Sequence, residues 1–283
     1  MTFGASTFIW VSPFSDDTLY LFDKARSLGF DTLEICIENP ETINTAAIKT
    51  VAEQTNMNIL ICGAFGPTRD ISSTDPAIRQ NGLDYLKTCI DITDNVGANM
   101  LSGPMYSATG KTNLLSKQEK HEQWSYAVEN IQSTATYAAA SGIKLAVEPL
   151  NRFETDFINT VDQAMNFLSR VDMDNVGLLL DTFHMNIEEI DIAAAIRRAG
   201  SKLFNFHACS NDRGTPGRDH INWPQIKTAL ADISYDGCMV IESFNPGITE
   251  IARAVSLWRK TAESPDALAQ DGIVFLKSIF GLA

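Results

Sequence analysis

Short apolar runs with a β-like composition recur along the chain, and a longer amphipathic stretch separates each run from the next. The eight runs are TFGAST, DTLEICI, NILICGAF, NMLSGPM, KLAVEPL, VGLLLDT, LFNFHACS and GCMVIES. The stretches between them include DDTLYLFDKARSLG, PAIRQNGLDYLKTCIDITDNVG and HEQWSYAVENIQSTATYAAASG. Each of these three ends on a glycine, as a helix with a glycine C-cap does. The pattern therefore predicts eight strands that alternate with helices.

Strands that alternate with helices are typical of a parallel sheet. Eight such units within ~250 residues, followed by a helical tail after Glu242, favour a closed (β/α)₈ TIM barrel over an open doubly wound sheet. A chain of 283 residues also suffices for two small domains, but no linker-like segment divides it. We therefore predict an α/β protein with a single barrel domain over residues 1–283.

The composition is that of an ordinary globular protein, with 45% hydrophobic and 20% charged residues. The 22 Lys and Arg residues are outnumbered by 35 Asp and Glu residues, which gives a formal charge of −13. Such a surface repels nucleic acids and anionic membranes and suits small neutral or cationic ligands. We therefore expect neither a nucleic-acid nor a membrane partner.

Three features of the sequence favour a reducing cytoplasm as the location. No Lys or Arg precedes Lys24, so the N-terminus lacks the charged start of a signal peptide. No apolar run approaches the ~18 residues that a membrane-spanning helix needs. The cysteines are odd in number and widely scattered, at Cys36, Cys62, Cys89, Cys209 and Cys238.

The last four strands end in residues that commonly bind metal ions: Glu148, Asp181, His207 and Glu242, at spacings of 33, 26 and 35 residues. Neighbouring strands lie ~4.8 Å apart, so side chains at the same end of adjacent strands can converge. Any one of the four could instead be a capping or salt-bridged group, but four in register favour a metal site. One imidazole and three carboxylates, completed by a bidentate ligand, suit Mn²⁺, Mg²⁺ or Co²⁺ better than structural Zn²⁺.

Four segments, EPLNRFETDFINT, LLLDTFHMNIEE, FHACSNDRG and VIESF, resemble the ketose 3-epimerases, the group that contains D-tagatose, D-allulose (psicose) and L-ribulose 3-epimerases. The resemblance is strong over residues 148–244 and weaker before them, where STFIW, LEICI and CGAFGP carry it. It implies a metal-dependent barrel of the xylose-isomerase-like superfamily that inverts C3 of free ketoses, commonly as a homodimer or homotetramer. The implied metal ligands are Glu148, Asp181, His207 and Glu242, and the implied substrate contacts are Glu154, His184 and Arg213.

This chemistry is consistent with the residue types. A cation that holds O2 and O3 of a ketose stabilises the cis-enediolate left when C3 loses its proton. Inversion then needs a proton from the opposite face, and Glu148 and Glu242 are the natural acid and base. His184 and Arg213 would donate hydrogen bonds to O2, while Glu154 would accept one from a hydroxyl.

Other residues near strand ends have two interpretations. They either line the far end of a sugar pocket or pack in the barrel core, which is the default for such positions; they are Phe8, Trp10, Cys62, Tyr106 and Phe244. Without the four ligands, His184 would be a helix cap and Arg213 a solvated loop residue. We expect Arg218 and His220 to organise a loop and His121 to lie on the surface.

The sequence leaves five alternatives open. A metal-dependent nuclease needs more than four histidines and a basic face, which the −13 charge opposes. An aldose–ketose isomerase or a polyol dehydratase is closer in chemistry. A phosphosugar epimerase requires Arg213 and Arg218 to bind phosphate, and no glycine-rich turn supports it. A catalytically silent sugar-binding protein is the non-enzyme alternative, which the complete pair of glutamates opposes.

Overall fold

The computed structural model describes residues 1–281, and its eight strands form one closed parallel barrel. Each strand pairs with its neighbours in chain order, and the last closes against the first, where Cys238 lies opposite Thr2. The predicted (β/α)₈ class is therefore confirmed. The strands are β1 (Thr2–Ser6), β2 (Thr32–Ile37), β3 (Asn58–Gly63), β4 (Met100–Gly103), β5 (Lys144–Val147), β6 (Val176–Asp181), β7 (Leu203–His207) and β8 (Cys238–Ile241).

Helices connect the strands and form the outer layer of the barrel. They are α1 (Leu21–Leu28), α2 (Thr45–Thr55), α3 (Pro76–Asn95), α4 (Lys117–Ala139), α5 (Val161–Val171), α6 (Thr182–Glu188), α7 (Ile192–Ala199), α8 (Trp223–Asp232), α9 (Thr249–Ala254) and α10 (Pro265–Phe280). The last two form the helical tail that the sequence predicts after β8.

Two helices begin at other residues than the apolar periodicity predicts. Residues 16–18 form a separate 3₁₀ turn because the Thr18 hydroxyl bonds to the Ser15 carbonyl at 2.6 Å and competes with the helix. Helix α4 begins before His121 because Ser116 and Glu119 form a capping box, in which each side chain accepts from the backbone N–H of the other.

Contacts between non-neighbouring strands show which side chains point into the barrel. The Asn205 amide on β7 donates to the Glu34 carboxylate on β2 at 3.1 Å and lies 3.3 Å from the Ser102 hydroxyl on β4. A small apolar cluster fills another part of the interior, with Leu60, Met100, Ala146, Leu179, Cys238 and Val240. The barrel interior therefore contains a buried polar layer, and β7 contributes both Asn205 to this layer and the predicted ligand His207 at its C-terminal end.

Across the part of the chain that the structure describes, no helix has both the length and the apolar character that crossing a membrane requires.

Candidate metal and substrate site

The four predicted ligands meet at the C-terminal end of the barrel. Asp181 and His207 are the last residues of β6 and β7, and Glu148 and Glu242 come directly after β5 and β8. All four side chains are buried, and one ligand atom from each lies within 4.8 Å of the others. The sequence-predicted convergence is therefore present in the structure. We refer to these four residues as the carboxylate cluster.

Local backbone hydrogen bonds orient the carboxylates of Asp181 and Glu148. Asp181 is also the N-cap of α6, and its Oδ1 accepts the Phe183 N–H at 2.6 Å, which leaves Oδ2 for the cluster. The Glu148 N–H donates to the Gly103 carbonyl at 3.1 Å. Gly103 has φ +126°, a conformation that side chains other than glycine rarely adopt. The turn that positions Glu148 therefore depends on this glycine.

His207 presents Nδ1 to the cluster and Nε2 to Glu34. Nε2 lies 3.0 Å from Glu34 Oε1, and both side chains are fully buried. Nδ1 has no hydrogen-bond partner among residues 1–281 and lies 3.9 Å from Asp181 Oδ2 and 3.8 Å from Glu242 Oε2. An unpartnered imidazole nitrogen facing carboxylates fits a bound cation, and a carboxylate on the opposite nitrogen is the usual support for such a ligand.

Glu34 is a site residue that sequence reasoning missed. LEICI contributes to the family resemblance, but no motif marks the glutamate inside this apolar strand. A charged residue in the middle of a fully buried strand costs free energy unless it is paired, and this is the feature of the sequence that could have identified Glu34 as a site residue. Its partner His207 lies 173 residues away in the sequence.

Arg213 is the main positive charge at the cluster. Its Nη1 lies 2.8 Å from Glu242 Oε2 and 3.8 Å from Asp181 Oδ2, and its Nη2 lies 3.6 Å from Glu154 Oε1. The guanidinium is buried, and Arg213 has φ +59° in the left-handed region. A non-glycine residue there costs of order 1–3 kcal/mol, and such strain clusters at functional sites.

His184 adds a second donor beside Arg213. The Asn151 N–H donates to Nδ1 at 2.9 Å, so the ring carries its proton on Nε2, 3.6 Å from Glu148 Oε1. Burial, followed by the charge of Arg213, lowers the pKa of His184 well below its usual value, which keeps the ring neutral. Nη2 of Arg213 lies 3.2 Å from this Nε2. Two N–H donors thus face the same space, where an oxygen of a ligand can accept from both.

The buried carboxyl groups of the cluster differ strongly in their pKa values. Burial and then the charge of Glu242 raise the pKa of Glu148 well above its usual value, and burial raises the pKa of Asp181 to about 6. Burial also acts on Glu242, but the charges of His207 and Arg213 lower its pKa to about 2. Mutual repulsion among these groups is what a divalent cation relieves.

The predicted pocket walls fall into two groups. Phe8 and Phe244 pack with ring centroids 5.2 Å apart, and Phe244 lies 4.7 Å from the Arg213 guanidinium, so this pair borders the site. Cys62 lies at the end of β3 with 5% of its surface exposed. Tyr106 is fully buried and donates to the Ile158 carbonyl at 3.1 Å, which places it in the core.

The other polar residues named from the sequence form contacts away from the cluster. Arg218 pairs with Asp271 at 2.7 Å, and His220 lies 2.9 Å from the Asn186 side-chain oxygen. The Trp10 indole N–H donates to Asp266 on α10 at 2.7 Å. His121 is exposed on α4. These contacts fix loops and the C-terminal helix, as expected for Arg218 and His220.

Known proteins are similar to this chain in both sequence and fold. The family model described as "Xylose isomerase-like TIM barrel" matches residues 22–279. A probable ketose 3-epimerase of Synechocystis is 36% identical over 280 residues, which cover 98% of this chain and 96% of that protein. The chain belongs to the ketose 3-epimerases of the xylose isomerase-like TIM barrel family. The resemblance predicted from the sequence, and with it the isomerase class, is confirmed.

A further relative and a solved structure are named for the sugars they act on or contain. The D-psicose 3-epimerase of Ruminiclostridium cellulolyticum is 33% identical, covering 91% of this chain and 88% of that protein. A solved structure of D-psicose 3-epimerase with D-tagatose, from Clostridium cellulolyticum H10, is 32% identical and has a TM-score of 0.90, covering 99% of each chain.

Proposed function

We propose that this protein inverts C3 of a free ketose with a divalent cation held by Glu148, Asp181, His207 and Glu242. One observation carries the proposal: the two glutamates that can act as acid and base belong to the same buried cluster of ligand atoms, within 4.8 Å of one another. A proton can therefore leave and arrive at one carbon atom between them.

The donor set indicates the kind of cation. Three carboxylates and one imidazole favour Mn²⁺, Co²⁺ or Mg²⁺, and we propose Mn²⁺. When bound, the cation supplies positive charge that stabilises the negative charge developing on O2 and O3 of the ketose. His207 can serve as a ligand through Nδ1 while Glu34 holds Nε2.

The side chains would then remove a proton from one face of the sugar and deliver a proton to the opposite face. An ionised glutamate takes the proton from C3, and the electron pair of the C–H bond forms the enediolate. The second glutamate, protonated, delivers its proton to the opposite face of C3. Glu148 and Glu242 exchange these roles in the reverse direction. The N–H groups of His184 and Arg213 donate to O2, and Glu154 accepts from a hydroxyl.

The charges around the cluster favour an unphosphorylated substrate. Arg213 is already paired with Glu242, and Arg218 is held at the surface by Asp271. A phosphate near Glu154 and the cluster would therefore meet carboxylates without a free arginine. The sugars in the names of the relatives, D-psicose and D-tagatose, are free ketohexoses, and we propose a substrate of this class.

A panel of free ketopentoses and ketohexoses, incubated with the Mn²⁺-loaded protein and separated by chromatography, tests this proposal. We expect C3 epimers as products, with no turnover after chelation and recovery when Mn²⁺ or Co²⁺ is added. An aldose as the product would favour an aldose–ketose isomerase instead. Full activity in metal-free protein would contradict the metal site. The cytoplasmic location and the homodimer or homotetramer stay predictions.

A further inference from the structure

A second group of ligand-type side chains lies inside the barrel beside the carboxylate cluster. Cys36 on β2 lies directly opposite Cys62 on β3, and Glu34 precedes Cys36 by two residues and so points to the same side of β2. One ligand atom from each lies within 4.8 Å of the others, and all three side chains are buried. Two thiols and a carboxylate thus converge from two adjacent strands.

We propose that Glu34, Cys36 and Cys62 form a second metal site, which takes a soft divalent cation such as Zn²⁺ or Cd²⁺. We call these three residues the dithiol site. Tetrahedral Zn²⁺ with Zn–S bonds of ~2.3 Å separates two sulfur ligands by about 3.8 Å. Since the ligand atoms already lie within 4.8 Å, small side-chain rotations bring them into range. Cys62 keeps 5% of its surface exposed, and a fourth ligand such as water would approach from this side.

The surroundings of the dithiol site differ from those of an ordinary core cysteine. The Ser6 hydroxyl lies 3.5 Å from the Cys36 sulfur. The Glu34 carboxylate beside it is fully buried. Glu34 Oε1 has no hydrogen bond of good geometry among residues 1–281, although His207 Nε2 lies 3.0 Å away. In contrast, Cys89 is part of the apolar core. A buried carboxylate beside two thiols is a setting that a cation stabilises.

Donor chemistry separates the two sites. Thiolates select soft cations, whereas the carboxylate cluster favours hard ones, so Mg²⁺ can fill the carboxylate cluster without competing for sulfur. Both thiols must lose their protons to bind the soft cation, so its affinity should rise with pH. The inference does not require the proposed epimerisation, because binding is measured without substrate.

The test uses the full chain saturated with Mg²⁺ and titrated with Cd²⁺. We expect calorimetry to show Cd²⁺ binding and the ultraviolet spectrum to show thiolate-to-cadmium charge transfer that saturates at about one Cd²⁺ per chain, because Cd²⁺ that replaces Mg²⁺ at the carboxylate cluster has no thiolate among its four ligands there. Cys36→Ser and Cys62→Ser should each weaken Cd²⁺ binding by at least about tenfold. Cys89→Ser, which removes a buried thiol elsewhere, should retain both signals.

Cys209→Ser is the second control, because the Cys209 thiol lies 3.1 Å from Asp181 Oδ2, within the carboxylate cluster's own surroundings. Retention of the charge-transfer band in this variant supports the dithiol site. Absence of the band in the unaltered protein, or its loss in Cys209→Ser with retention in Cys36→Ser and Cys62→Ser, would overturn the proposal. Circular dichroism checks that each variant folds. If a variant does not fold, the presence or absence of the charge-transfer band in the unaltered protein decides whether thiols bind Cd²⁺.

Discussion

Replacing Arg213 by Ala separates cation binding from transition-state stabilisation. The change removes the guanidinium 2.8 Å from Glu242 and one of the two donors that face the space beside His184. Loss of one such donor typically lowers kcat by about 10²–10³-fold, or about 2.7–4 kcal/mol. The cation ligands stay in place, so Mn²⁺ should still bind.

The same substitution leaves buried carboxylates without their partner in the metal-free protein. Breaking a buried ion pair costs about 3–5 kcal/mol, and bound Mn²⁺ should offset much of that loss because it supplies the missing positive charge. The metal-free variant should therefore melt well below the unaltered protein, with a smaller difference once Mn²⁺ is added. The left-handed backbone of residue 213 gives no compensation, because Ala at φ +59° is strained as well.

Calorimetric Mn²⁺ titration, kcat and KM on the best ketose of the panel, and thermal melts test these expectations together. Arg218→Ala is the matched control, since this arginine lies on the same loop but pairs with Asp271 at the surface. His207→Ala should show the opposite pattern, with weakened Mn²⁺ binding. Equal loss of Mn²⁺ in Arg213→Ala and His207→Ala would contradict the role of His207 as a ligand and Arg213 as a donor, and so would an unchanged kcat in Arg213→Ala.

Three further outcomes follow from the site. Glu34→Gln should weaken Mn²⁺ binding about 10–100-fold because His207 loses its charged support. Calorimetry checks this, and Glu38→Gln is the control because the Glu38 carboxylate accepts from the Ser12 hydroxyl at 2.7 Å and belongs to neither group of ligand-type side chains. Unchanged affinity in Glu34→Gln would contradict this expectation. Ketose phosphates should inhibit turnover of a free ketose only weakly, and ribulose 5-phosphate as the preferred substrate would favour a phosphosugar epimerase. Burial raises the pKa of Asp181 in the folded protein to about 6, above its ordinary value. The folding stability of the metal-free protein therefore falls as pH rises toward that value, because the folded state must give up a proton that it holds more tightly than the unfolded chain does. The Mn²⁺-induced rise in Tm should therefore grow between about pH 5 and about pH 7, and a shrinking shift would argue against the cluster.

The sequence predicts the parts of this site that depend on strand order. Glu148, Asp181, His207 and Glu242 each end an apolar run, and the closed barrel brings equivalent ends together, so the four residues could be named in advance. The eight strands were predictable for the same reason, because parallel strands buried on both faces appear as continuous apolar runs.

Other features depend on contacts that no local pattern encodes. Glu34 pairs with His207 across the barrel interior, and Cys36 meets Cys62 only because of the register of β2 and β3. Tyr106 follows a strand end as Phe8 and Phe244 do, but its ring turns into the core against Phe157. Side-chain direction after a strand end is set by the turn and by packing.

Hydrogen exchange tests most directly whether two glutamates pass protons at C3. In D₂O, the epimerised product should carry deuterium at C3, because the delivered proton comes from a carboxyl group that equilibrates with solvent. Glu148→Gln and Glu242→Gln should each abolish full epimerisation, with metal content measured alongside, since both residues are proposed ligands. Product formed at the full rate without deuterium at C3, or with label only at C1 or C2, would contradict proton transfer by Glu148 and Glu242.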